Sequence, residues 1–144
     1  MSTLRKTIGG LVCALVVFLC PLPALADQVL IANPSVGERE VSLNTTRLLF
    51  SMQLVRWPDG SPARVFVLPD DNRVHRAFTK DLLVLYPRQL RRVWDRQLYS
   101  GTGQAPETVA DEAEMRAKVA STPGAIGYLS SEMIDDTVHV LTIR

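Results

Sequence analysis

Four short apolar runs constrain this chain most: QVLIA at residues 28–32, ARVFVL at 63–68, AIGYL at 125–129 and TVHVLTI at 137–143. The first three lack polar alternation, have no face to give to water and so need cover on both sides; the fourth is a β-branched run. Stretches of helical periodicity separate most of these runs. The order predicts an α/β fold, with a mixed, mostly parallel sheet and helices packed on its faces. With 47% hydrophobic and 22% charged residues in 144, the composition is that of one globular domain.

The first residues read differently. Arg5 and Lys6 precede the apolar run IGGLVCALVVFLC, and PLPALA follows with small residues at Ala24 and Ala26. This pattern predicts a secretory signal peptide over residues 1–26, cleaved after Ala26, and a mature domain over residues 27–144 in the periplasm or secreted. The apolar run is shorter than the roughly 20 residues that span a bilayer, so no stable membrane insertion is expected after cleavage. Both cysteines, Cys13 and Cys20, fall in the leader, which leaves the mature chain without disulfide or thiol chemistry. The bulky Leu19 before Cys20 argues against a lipid anchor there. Loss of Arg5 and Lys6 leaves 14 basic and 15 acidic residues, a net charge of −1. A nearly neutral domain has no concentrated positive field for nucleic acid.

Between the strands, Asn44 is placed to cap a helix through TTRLLFSMQL with Leu48, Leu49 and Met52 inward. WPDGSP reads as a turn. A second helix starts near Asp71 or Asn72 and puts Val74, Ala77, Phe78 and Leu82 on one side. A third begins at Pro87, buries Leu90, Val93, Trp94 and Leu98, and shows a basic face of Arg88, Arg91, Arg92 and Arg96. That face is a solvated surface or a dock for an acidic partner or lipid headgroups. SGTGQAP is a connector that lacks the Lys-Ser or Lys-Thr ending of a nucleotide loop, and Gly101 ends the helix before it. A fourth helix opens at Asp111, with Glu114 completing a capping box and Met115 and Val119 inward.

Taken in order, LLFSMQLVRWPDG, VFVLP, RVHRAF, LRRVWDRQLYSGTG and TPGAIGYL resemble a segment of the phosphate-type substrate-binding proteins of ABC transporters. The likeness is to short, single-lobe members of that superfamily and runs from about residue 33 to 129. It implies a single-lobe periplasmic-binding-protein-like domain that binds phosphate or another small anion without catalysis, or derives from such a binder. It implies no cofactor, and a transporter or other envelope protein as partner. In full-length relatives the anion is held in a cleft between two lobes by hydroxyls, helix-start amides and an arginine. The corresponding helix start here carries Asp70, Asp71 and Asn72 in place of a Ser-Gly-Thr sequence, and Phe50-Ser51-Met52-Gln53 replaces an FLGK-like segment without its glycine.

From the residues themselves, Asn72, Arg73 and Arg76 are the candidate anion-binding set, since helix-start amides and two guanidiniums suit an oxyanion. The paired aspartates oppose that role. They favour instead an envelope interaction module that has lost its solute site. His75 and His139 are the only histidines and lie far apart. No G-x-S-x-G elbow or metal-binding histidine pair occurs, so no catalytic or metal residue is assigned.

Overall fold

The computed structural model describes residues 27–101 and 103–144; the leader and both cysteines lie outside the described residues. The apolar runs form strands. They are β1 (Gln28–Ala32), β3 (Arg64–Val67), β5 (Ala125–Ser130) and β6 (His139–Ile143), joined by two-residue strands β2 (Glu40–Val41) and β4 (Glu107–Thr108). All six make one sheet in the order β2-β6-β1-β5-β3-β4. β1 pairs antiparallel with β5 along its whole length, from Gln28 opposite Ser130 to Ala32 opposite Ile126, and antiparallel with β6. The remaining pairs, β2 with β6, β5 with β3 and β3 with β4, are parallel. Five strands therefore run one way and β1 alone runs against them, the mixed, mostly parallel sheet that the sequence predicts.

Alternation along β5 sorts the helices onto two faces. Gly127 faces α4 (Glu112–Ser121), where a Cβ would lie 2.5 Å from the Met115 sulfur and 3.1 Å from Val119, so only glycine lets helix and strand approach this closely. Tyr128 faces the other way. Its ring stacks on Phe78 with centroids 3.9 Å apart, and Phe50 packs edge-on to Phe78 at 4.8 Å. Phe50 ends α1 (Leu43–Phe50), and Phe78 continues α2 (Arg73–Ala77) into a π-helical turn, Phe78–Leu83. α3 (Pro87–Tyr99) lies on α1, with Trp94 Nε1–H donating to Phe50 O at 2.8 Å and Gln97 Nε2–H to Ser51 O at 2.8 Å.

Several local expectations are corrected. Ser42, not Asn44, caps α1: its hydroxyl accepts from Thr45 N–H at 3.0 Å, and Asn44 points to solvent. α1 stops at Phe50, and Met52, expected inside the helix, takes a positive φ of 61° beyond it. α2 is rotated, burying His75, Phe78, Thr79 and Leu83 while Val74, Ala77 and Leu82 are only half-buried. The hydroxyl has a partner on that core face, Thr79 Oγ1–H donating to Arg76 O at 3.1 Å, and the imidazole has one for Nδ1 only. Leu98, expected inside, is exposed near the end of α3. Asp111 caps α4 as predicted, accepting from Glu114 N–H at 2.8 Å, while the Glu114 carboxylate reaches Ala110 N–H at 2.5 Å.

Candidate functional site

In an open α/β sheet the strand ends leave helix-start loops and polar groups facing a crevice, and ligands bind at the carboxyl ends of the parallel strands. Here those ends belong to β3 and β5. The segment Pro69-Asp70-Asp71-Asn72 leaves β3 and turns back, with Asn72 N–H donating to Pro69 O at 2.9 Å. Asn72 then caps α2, its Oδ1 accepting from Val74 N–H at 2.8 Å and His75 N–H at 3.3 Å. The amides of Val74 and His75 are thereby engaged by the cap.

Asn72 and Arg73 border a hollow of about 420 Å³ that also meets Gln28, Ser130, Glu112 and Glu132. Arg73 is exposed and has no hydrogen-bond or ion-pair partner among the described residues. Opposite it, Glu112 at the start of α4 places one carboxylate oxygen on Ser130, accepting from the backbone N–H at 2.6 Å and from the hydroxyl at 2.7 Å. Two donors that an oxyanion would use at the end of β5 thus hold an internal carboxylate. Arg76 opens elsewhere, on a hollow of about 510 Å³ with Asp70, Asp71, Tyr86 and Arg88. The structure brings Asn72 and Arg73 together and sets Arg76 on the neighbouring hollow. A further hollow of about 440 Å³, by Met52, Arg56 and Arg64, lies at the opposite, amino end of β3.

Behind the corner runs a buried polar chain with no counterpart in the sequence expectations. Leu68 N–H donates to the Tyr128 hydroxyl at 2.9 Å, and that hydroxyl, left with its own proton to give, is placed to donate to His75 Nδ1. That arrangement puts the imidazole proton on Nε2, 3.6 Å from Asp70 Oδ1. Asp70 is clamped from outside by Arg91, at 2.9 Å and 3.2 Å, and the Arg91 guanidinium lies 5.2 Å over the Trp94 ring. Burial pushes His75 down to about 4; Asp70 opposes the shift and Arg91 adds to it. Burial also pushes the Tyr128 phenol up, so both groups are neutral near pH 7. The chain ties the β3–α2 loop to β5 and α3. Its partners are distant in sequence and on different elements, so no spacing in the sequence marks it. Among the described residues no three His, Cys, Asp or Glu side chains gather as metal ligands, and no helix is long and apolar enough to cross a membrane.

The fold of this mixed sheet and its helices is shared with solved substrate-binding proteins of phosphate ABC transporters. Solved structures of that class superpose on 81% of the chain. A putative phosphate ABC transporter substrate-binding protein from Clostridium perfringens, solved with bound phosphate, matches with a TM-score of 0.66 at 16% identity over 44% of its own length. An ABC-type phosphate transport receptor from Vibrio cholerae gives 0.64 at 10% identity over 45%, and PstS from Borrelia burgdorferi 0.63 at 12% over 47%. The chain thus shares their fold while spanning less than half the length of each. No protein-family model and no curated protein matches the sequence.

Proposed function

We propose that residues 1–26 export the chain to the periplasm or beyond, and that residues 27–144 act there as a noncatalytic module of the solute-binding type. Its ligand is a small anion of the phosphate class, held weakly at the corner where Arg73 and Asn72 border the strand-end hollow. The unpartnered Arg73 guanidinium in that position is the observation that carries this reading. Arg73 supplies the charge, the Asn72 side-chain amide a donor that its capping oxygen leaves free, and Arg76 adds field from the adjoining hollow. Glu112 is the competitor, because an incoming oxyanion has to approach or displace its carboxylate to reach Ser130.

Titration calorimetry with phosphate, sulfate and acetate tests this. Phosphate should give weak heat that Arg73→Ala abolishes, and Glu112→Gln should tighten binding about tenfold, the effect of removing one unit charge close to the ligand. Phosphate heat that survives Arg73→Ala would refute the residue assignment. A second reading, an envelope interaction module that keeps the fold without the solute, is favoured by the internal occupation of the Ser130 donors and the α2 amides. Absence of heat from the native chain and from Glu112→Gln would select it.

A further inference from the structure

α3 carries four arginines, and only one of them has work inside the fold. Arg91 is clamped to Asp70 over Trp94. Arg88, Arg92 and Arg96 point away from the buried Leu90 and Trp94, are exposed, and have no partner among the described residues. Their i, i+4, i+8 spacing sets the cations in a row at intervals of about 6 Å along the helix. The one acid of α3, Asp95, lies a turn from both Arg91 and Arg92, so it borders the row and leaves the three cations with a net local charge of +2. Two tyrosines bracket the row. Tyr99 is 91% exposed, about three turns beyond Arg88 on the same side, and Tyr86 is 66% exposed just before the helix. Leu98 and Val84 add exposed apolar surface at the two ends.

We propose that this face of α3 is a docking surface for an acidic helical segment of another protein, one whose carboxylates repeat every four residues. Such a helix has the same repeat of about 6 Å, so its carboxylates meet the three guanidiniums in register. Arginine forks grip carboxylates bidentately, and exposed tyrosines beside arginines are the side chains that dominate protein interfaces. A lipid leaflet offers no such register, and lysine would serve it equally well; α3 has none. The surface shares Arg88 and Tyr86 with the hollow of Arg76 but none of the residues of the hollow that Arg73 borders, so Arg73→Ala tests anion binding without touching it.

Fluorescence anisotropy against a synthetic helical peptide with glutamates at i, i+4 and i+8, its glutamine counterpart, and sedimentation with phosphatidylglycerol vesicles test the proposal. The glutamate peptide should bind saturably and the glutamine peptide at least about tenfold more weakly. Combined Arg88→Ser, Arg92→Ser and Arg96→Ser substitution should cost a similar factor, and Tyr99→Ser about fivefold. All four sites are exposed, so melting temperatures should not move. Equal binding of the two peptides by the native chain, which needs no variant, would overturn the proposal. So would an unchanged triple variant, an unchanged Tyr99→Ser, or capture by vesicles with no peptide binding.

Discussion

His75 makes the fold sensitive to acid in a range where a free histidine begins to charge. Buried behind the β3–α2 loop and accepting from Tyr128, it holds a folded-state value of about 4 against an ordinary 6.5. The unfolded chain therefore binds more protons between these values, so stability present above pH 6.5 is lost as the pH falls toward 4. A difference of two to three pH units corresponds to roughly 3 kcal/mol in total, of which about 2 kcal/mol is gone by pH 5. Carboxylates titrate in the lower part of the window, so the informative quantity is a difference. His75→Gln keeps an acceptor for the Tyr128 hydroxyl and cannot charge. Urea unfolding of both proteins at intervals from pH 7.5 to pH 5 should show the native chain losing about 2 kcal/mol more than the variant across that range. Parallel curves would refute the reasoning, since they would mean that His75 charges in the fold as easily as in water.

Two further predictions concern the joints of the sheet. Gly124 has a φ of 76°, and a Cβ there would lie 2.2 Å from Pro62 O, so Gly124→Ala should cost roughly 2 to 5 kcal/mol by chemical denaturation. The Asn33 amide nitrogen, buried, donates to Val119 O at 2.8 Å and Ala120 O at 2.9 Å and so fastens the end of α4 to the end of β1. Asn33→Ala should cost about 2 to 4 kcal/mol, with hydrogen exchange rising first in the last turn of α4.

β1, β3 and β5 were legible because runs without polar alternation need cover on both faces, whereas β6 alternates, with Leu141 buried between exposed Val140 and Thr142, and was legible from its β-branched residues. The edge strands were not. Glu40–Val41 and Glu107–Thr108 are two residues each and mostly exposed, so they exist through hydrogen bonds to β6 and β3 and leave no hydrophobic period to read. α2 was misread for a related reason. Hydrophobicity puts Val74 and Ala77 inside, whereas Thr79 is buried with its hydroxyl on the Arg76 carbonyl one turn back and His75 with Nδ1 on Tyr128, a partner set by tertiary packing. The candidate corner divides the same way. Asn72 as a cap is a local signal and was readable, but the Glu112 carboxylate meets Ser130 only because α4 starts where β5 ends.

The two motifs that carry the family resemblance, WPDG and PGAIGY, prove to be two halves of one joint. Trp57 Nε1–H donates to Gly124 O at 2.9 Å and Arg64 N–H to the same oxygen at 3.0 Å, while Gly124 N–H donates to the Ser35 hydroxyl at 3.0 Å. A turn before β3 and a turn before β5 are thereby locked together, which fixes the parallel register of the two strands whose far ends border the corner. Such a joint requires its tryptophan and glycine whatever the corner holds, so the motifs identify a fold and are indifferent to ligand. The other end of β3 carries Asp70, Asp71 and Asn72, where the resemblance implies a small Ser-Gly-Thr sequence. Asp70 there is already committed to Arg91 and faces His75. Placing small residues there without also replacing Arg91 and His75 would leave a guanidinium without its carboxylate and an imidazole without the one that faces it, so these residues work as a unit.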